Sequence, residues 1–254
     1  MKRSAFSAAI SIALITLPDI ASAEDAPASA PSPWVGSLGL VSNYLFRGLT
    51  QTNAKPALQG GLEYGAVSGV YAGFWGSSIS WLSDYSTSAA KVSSNVELDF
   101  YLGYRGKLGD TFGYDVGAYT YYYPGTYPRG FVSANTTEIY GALAYQFVSL
   151  KYSHSLTNAF GFDDTKNSGY LDLTANYEFA PTWVFNAHVG HQKIDGFGAA
   201  SYTDYKLGIT KSFDPGFCVA LAWYDTNTDK AVYTNAFGHD VGRATGVLSI
   251  SKAL

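Results

Sequence analysis

Charged residues recur at every second position in several parts of the chain. Glu97 and Asp99, for example, alternate with Val96, Leu98 and Phe100. Side chains two residues apart lie on the same face of a β-strand, so this spacing gathers charged groups on one polar face. Such a face can bind or select ions wherever it meets water.

Thirteen charged residues fall on this predicted polar face. Eight are acidic and five are basic, which predicts a mild preference for cations if the face lines a watered lumen. The alternative is a narrow interior filled by salt bridges between the same residues. The sequence leaves both interpretations open. The predicted pore-lining residues are Arg47, Glu63, Glu97, Asp99, Arg105, Asp115, Glu138, Lys151, Asp172, Glu178, Asp204, Lys206 and Arg243.

The four histidines raise the question of catalysis. On a strand, His154 shares its face with Tyr152 and Leu156, whereas Ser153 and Ser155 point to the opposite side, which leaves no nucleophile beside it. We therefore predict that the chain is not an enzyme and has no catalytic residues. A Ser–His–acid set assembled across strands, as in a barrel-embedded lipid hydrolase, is the alternative.

The sequence gives no indication of a metal or a cofactor. His188 and His191 fall on opposite faces of one predicted strand, which is poor geometry for a shared metal. The single cysteine, Cys218, excludes an intramolecular disulfide framework and any multi-cysteine metal site. No glycine-rich phosphate loop lies between a strand and a helix. We predict neither a metal nor a cofactor.

An aromatic segment, 121–130, follows one of the predicted strands. Its rings and Arg129 could fold inward as a constriction loop, with Tyr127 and Arg129 stacking on sugars or pairing with anions. The favoured interpretation is an aromatic belt leading into an exposed loop, because such belts are expected of every membrane barrel.

Strict alternation of apolar and polar residues is the main structural signal. In 169–179, for example, Leu171, Leu173 and Tyr177 oppose Asp172 and Glu178, a period of two that excludes a helix. About twelve segments carry this pattern, most of them long enough for a tilted membrane-spanning strand of about 9–11 residues. They are 34–47, 56–66, 70–82, 94–105, 111–123, 135–146, 148–156, 168–179, 182–194, 202–213, 217–226 and 239–252.

The connections between these segments alternate between long and short. This alternation is typical of an outer-membrane barrel with short periplasmic turns and longer outer loops. Because hydrocarbon offers no partners for backbone polar groups, we predict an all-β fold, a closed transmembrane antiparallel up-and-down β-barrel whose apolar faces point outward. Aromatic residues next to the short turns should form a ring at one membrane boundary: Tyr64, Tyr104, Phe112, Phe147, Phe179, Trp183, Phe213 and Phe217.

The N-terminus carries the features of an export signal. Lys2 and Arg3 precede an apolar stretch, and Ala21-Ser22-Ala23 offers a cleavage site. We predict a cleaved signal peptide at 1–23, a flexible segment at 24–33, and an outer-membrane barrel at 34–254. A net charge of −4, with only 14% charged residues, argues against nucleic-acid binding. The predicted partners are outer-membrane lipid and the barrel assembly machinery, and a homo-oligomer is compatible with the sequence.

Several motifs carry a family resemblance. The segment 42–52, followed by 56–60, resembles the start of the TorF family of porins, and 69–76, 97–99 and 249–252 are similar to the same family. The resemblance implies an outer-membrane barrel with a porin-like role, and it brings no established substrate or catalytic residues. Barrels of this kind usually end in an aromatic residue, whereas this chain ends in Leu254.

These observations predict a porin-like channel for passive diffusion of small polar or ionic solutes. The width and charge of the lumen would set the selectivity, without a cofactor. Two alternatives stay open. One is a barrel with a filled lumen and a structural or adhesive role, and the other is the lipid hydrolase considered above.

Overall fold

A computed structural model describes residues 32–254. The predicted signal peptide, 1–23, and most of the predicted flexible segment, 24–33, lie outside the described residues. Among the residues described, no helix is long and apolar enough to cross a membrane.

Twelve antiparallel strands of the described chain close into one barrel, as the alternation predicted. Each strand pairs with its neighbours in chain order, and the first strand closes the sheet by pairing with the last. The barrel strands are β1 (Trp34–Val41), β4 (Ala57–Gly65), β5 (Val70–Ser78), β6 (Val96–Leu108), β7 (Phe112–Tyr122), β8 (Thr136–Tyr145), β9 (Val148–Ser155), β10 (Gly169–Ala180), β11 (Trp183–Lys193), β12 (Tyr202–Phe213), β13 (Phe217–Thr226) and β14 (Thr245–Ala253).

A short separate hairpin accounts for the remaining two strands, β2 (Leu45–Phe46) and β3 (Leu49–Thr50). It lies in the first long connection, 42–56, and its first strand falls at the end of the segment 34–47 that the sequence predicts as one continuous strand. The first barrel strand therefore ends at Val41. The last barrel strand begins at Thr245 and not at the predicted 239.

The connections sort by length onto the two ends of the barrel. The short turns, 66–69, 109–111, 146–147, 181–182 and 214–216, lie at the same end as both termini of the sheet. The long loops, 42–56, 79–95, 123–135, 156–168, 194–201 and 227–244, lie at the opposite end. We call these the short-turn end and the long-loop end.

The barrel is apolar outside and polar inside, the reverse of a soluble protein. Leu58, on the outer face of β4, is 65% exposed, whereas Glu97 and Asp99 on the inner face of β6 are each 1% exposed. The predicted ring of aromatics next to the short turns also lies on the outer face, with every member exposed. Alternation along a strand produces this inversion, because successive side chains point to opposite faces.

Candidate functional site in the barrel interior

The β2–β3 hairpin folds into the barrel from the long-loop end. Its tip, Arg47-Gly48, has positive φ at both residues, which turns the chain tightly. A Cβ on Gly48 would lie 2.6 Å from Cγ2 of Thr226 and 2.8 Å from Cβ of Asp204. Only glycine therefore fits where the tip of the hairpin meets the wall formed by β12 and β13.

Arg47 fixes the hairpin to the opposite wall. Its guanidinium donates to both carboxylate oxygens of Glu138 (3.1 and 2.7 Å) and to Oε1 of Gln192 (2.6 Å). It also lies 4.2 Å from the ring centroid of Tyr170. Burial alone would lower the pKa of Arg47, but Glu138, together with Tyr121 and Tyr170, raises it above its ordinary value, so Arg47 stays charged. The hairpin thus contacts β8, β10 and β11 through one side chain.

Two carboxylates lie behind tyrosines on the β6 wall. The Tyr44 hydroxyl of the hairpin segment donates to Glu97 (3.0 Å), and the Tyr119 hydroxyl donates to Asp99 (3.0 Å). Oε2 of Glu97 and Oδ1 of Asp99 have no hydrogen-bond partner of ordinary geometry within residues 32–254. Phenol rings cover both acidic groups, and each residue is only 1% exposed.

A histidine joins two acids on the wall formed by β10, β11 and β12. Nε2 of His188 lies 2.6 Å from Oδ2 of Asp204, and its Nδ1 lies 3.3 Å from Oδ1 of Asp172. The Tyr170 hydroxyl also donates to Asp204 (2.9 Å), and the Thr174 hydroxyl donates to Asp172 (2.7 Å). Hydrogen bonds therefore satisfy both carboxylates within the wall.

Toward the short-turn end, a second Arg–Glu pair crosses β4 to β6. Nη2 of Arg105 lies 2.8 Å from Oε1 of Glu63, with 37% and 19% of the two side chains exposed. The guanidinium stacks 3.7 Å from the ring centroid of Tyr71, and the Tyr71 hydroxyl donates to Asp115 (2.5 Å). Solvent reaches this pair, unlike the Arg47–Glu138 pair, whose side chains are 7% and 1% exposed.

Two lysines on the inner wall have aromatic rather than acidic neighbours. Nζ of Lys151 lies 4.0 Å from the ring centroid of Tyr140, and Nζ of Lys206 lies 5.6 Å from that of Tyr224. Neither lysine forms an ion pair with any of residues 32–254.

An internal cavity of about 290 Å³ runs between these walls below the hairpin. Charged, hydroxyl and amide side chains line it together with aliphatic and aromatic ones, so its wall is chemically mixed. Its wall includes Arg47, Asp99, Asp115, Lys151, Asp172, His188, Asp204 and Lys206, together with Ser149, Thr174, Asn176, Asn186, Thr210, Ser249 and Ser251.

The other residues singled out from the sequence lie away from this cavity wall. Glu178 is exposed near the short-turn end and accepts the backbone N–H of Thr182 (2.9 Å). Arg243 is exposed in the last long loop, because β14 starts only at Thr245. Tyr127 donates to the Tyr123 carbonyl (2.7 Å), and Arg129 is exposed.

The loop residues that reach the cavity are thus 43–48, and neither Tyr127 nor Arg129 lines it. The sequence signal for this segment is weak, because 42–47 alternates like a strand. Arg47-Gly48 was part of the family motif, but nothing local showed that it would turn inward. Sequence reasoning also left out Tyr44 and Tyr170, which the alternation treats as ordinary aromatics, and assigned no partner to His188.

His154 lies on the outer face of β9, with its ring centroid 6.3 Å from that of Tyr152. Ser153 and Ser155 are buried on the inner face, and Ser155 donates to Glu138 (3.3 Å). Within the described part of the chain, no group of three or more His, Cys, Asp or Glu residues is arranged to hold a metal ion.

Comparisons with known proteins identify a family for the chain. A family model described as a bacterial protein of unknown function (Gcw_chp) matches residues 25–254. No curated protein matches the sequence.

Solved structures of channels have the same fold. The KdgM porin superposes with a TM-score of 0.53 at 8% identity, covering 87% of this chain and 97% of that chain. The NanC porin gives 0.52 at 12% identity, covering 87% and 98%. A TodX deltaS2S3 mutant, a monoaromatic hydrocarbon channel, gives 0.53 at 11% identity, covering 88% and 90%. At such identities, the similarity shows the fold alone.

Proposed function

The chain belongs to the Gcw_chp family of bacterial proteins of unknown function, and from its geometry we propose that it is a porin-like channel of the outer membrane. Small polar or ionic solutes would cross it by passive diffusion. The observation that carries the proposal is the cavity of about 290 Å³, with charged and hydroxyl side chains on its wall, inside a closed barrel whose outer face is apolar. The resemblance of 42–60 to the TorF porins supports the same role.

The outer surface supports placement in a membrane. Exposed leucines, valines and phenylalanines cover the middle of the strands, and rings such as Trp183 and Phe213 border the short turns. Only a closed barrel satisfies the backbone of such strands in hydrocarbon. With the usual orientation of these proteins, the short turns face the periplasm and the long loops face outward.

The hairpin would form the narrowest part of the path. It occupies the long-loop half of the lumen, and Arg47 holds it against Glu138 and Gln192. Solutes would pass beside the hairpin tip, where charge and hydrogen bonding act at close range. Selectivity would therefore depend on side chains at the hairpin and on the wall below it.

The same packing favours a second candidate function. Around the hairpin, Tyr44, Trp75 and Tyr121 belong to one buried apolar cluster at the long-loop end. If this cluster seals the lumen, the protein would be a structural or adhesive barrel that displays its long loops.

Conductance separates the two functions. The refolded barrel, inserted in a planar bilayer in KCl, should give discrete current steps under voltage if it is a channel. A Gly246→Ala variant is a control for refolding, because Gly246 is exposed on the outer face of β14 and a Cβ there would meet no heavy atom within 4 Å. Correctly folded protein without steps above the lipid background would overturn the channel and favour the structural role.

A further inference from the structure

Two acidic side chains lie next to each other on the inner face of β6, beside the hairpin. Glu97 and Asp99 are two residues apart on one strand, so both point inward, and each is 1% exposed. Their carboxyl groups lie within hydrogen-bonding reach of each other. On β5, register places Ser77 opposite Glu97 and Trp75 opposite Asp99, so that strand brings no charge to the pair.

The groups packed around the pair are phenols. One oxygen of each carboxyl group accepts from a tyrosine, Tyr44 for Glu97 and Tyr119 for Asp99. A neutral hydroxyl donates a hydrogen bond to a carboxylate but does not cancel its charge. Four buried tyrosines face the pair from the hairpin segment, from β7 and from the residue that follows β7: Tyr44, Tyr119, Tyr121 and Tyr123.

No cation compensates the two acids. Beyond Tyr121 lie Arg47 and Glu138, which are paired with each other. Neither Glu97 nor Asp99 forms an ion pair with any of residues 32–254. Two negative charges in contact repel each other, and burial deprives both of hydration. A buried pair of carboxyl groups without a cation therefore retains a proton.

The hydrogen bonding of the pair points to the same proton. Oε2 of Glu97 and Oδ1 of Asp99 are buried and have no donor of ordinary geometry within the described chain. Ionised carboxylates only accept hydrogen bonds, so two of them in contact leave these oxygens unsatisfied. One proton between the groups supplies the missing donor and removes one of the two charges.

We propose that Glu97 and Asp99 share one proton, and that this proton holds the hairpin against the β6 wall. Tyr44 is the link, because its hydroxyl contacts Glu97 while its ring packs on Trp75, with 5.5 Å between the ring centroids. The proton would leave to water through the cavity, which Asp99 borders, and two carboxylates would remain.

The second charge can be accommodated only if the tyrosines separate and water reaches the pair. The hairpin would then loosen on its β6 side, while Arg47 still anchors its tip to Glu138. The effect on the lumen deepens the proposed channel function and rests on it, whereas the shared proton does not depend on transport.

Infrared spectroscopy tests the proton. At neutral pH the folded wild-type barrel in detergent micelles should show the C=O stretch of a protonated carboxyl group, because exposed Asp and Glu are ionised there. Asp99→Asn should remove this band, since the amide replaces the shared proton as a donor, and Glu97→Gln should do the same. Asp110→Asn, in an exposed short turn, is the matched control and should leave the band unchanged. A missing band in the wild type, or a band that persists in both folded variants, would overturn the inference whether or not the barrel conducts.

Single-channel recording tests the effect on the hairpin. As the pH rises from neutral toward about 10, where exposed tyrosines ionise, the wild-type current per step should increase when the proton is lost. Asp99→Asn has no shared proton to lose and should keep its neutral-pH current, whereas Asp110→Asn should follow the wild type. A wild-type current that ignores pH, or an equal rise in Asp99→Asn, would refute the link to the hairpin and leave the channel intact. Absence of any current would refute the channel, and the infrared band would still decide the shared proton.

Discussion

The barrel contains two Arg–Glu pairs of nearly equal length in very different surroundings. Arg47–Glu138 (2.7 Å) lies in the long-loop half of the lumen, with 7% and 1% of the side chains exposed. Arg105–Glu63 (2.8 Å) lies toward the short-turn end, with 37% and 19% exposed. The first pair joins an inserted hairpin to the wall, and the second joins strands within one sheet.

This contrast shows how one fold divides its interior. The long-loop half is packed, because a hairpin and its aromatic neighbours fill it and bury the charges. Toward the short-turn end, Arg105 and Glu63 stay in contact with solvent, although Tyr71 and Asp115 beside them are each 1% exposed. A buried pair is expensive to break, whereas an exposed pair contributes little, so the two halves should respond differently to the same mutation.

The largest effect is expected for Arg47→Ala. It leaves the Glu138 carboxylate buried without its cation, which should lower the free energy of unfolding by roughly 3–5 kcal/mol. It also releases the hairpin, so the current per step should rise. Urea unfolding in detergent micelles and single-channel recording measure the two effects.

Arg47→Ala combined with Glu138→Ala provides the control for that prediction. Removing both partners should recover much of the stability lost in the single variant, because no uncompensated charge stays buried. Additive losses in the double variant would show that the two side chains do not act as a pair.

An intermediate effect is expected for Gly48→Ala at the hairpin tip. The φ of +79° strains an alanine by about 1–2 kcal/mol. The new Cβ would in addition clash with Thr226 and Asp204. We expect lower stability and larger current steps, since the tip must withdraw from the wall.

Gly109→Ala is its matched control at the short-turn end. Gly109 also has positive φ, +63°, but a Cβ there would meet no heavy atom within 4 Å. The Gly109→Ala substitution should lower the free energy of unfolding only by the backbone strain, and it should leave the current unchanged. Equal losses of stability in the two variants would contradict close packing of the hairpin tip.

The smallest effect is expected for Arg105→Gln. Solvent screens this pair, so the change in the free energy of unfolding should stay below about 1 kcal/mol. Raising the salt concentration should reduce the difference further, because exposed charges are screened over a Debye length. A loss as large as that of Arg47→Ala would abolish the distinction between the two halves.

Much of the architecture could be predicted from the sequence, because membrane strands obey a period of two. The outward orientation of Leu171, Leu173 and Tyr177, for example, follows from their polar neighbours Asp172 and Glu178 alone. The number of strands and the sorting of loop lengths followed in the same way, and the structure confirmed both. The ends of β1 and β14 were wrong by several residues, because 42–47 and 239–244 keep an alternating pattern after the barrel strand has ended or before it begins.

The arrangement inside the lumen could not be predicted in this way. Alternation places Arg47 and Glu138 on the inner side but contains no information on which charges meet, since the two residues are far apart in the chain. The sequence by itself determined the inverted barrel, because local side-chain polarity decides which face of a strand meets lipid. Only the tertiary structure decided that a hairpin fills one half of the lumen and that Arg47 meets Glu138, because closure of the sheet brings distant strands into contact.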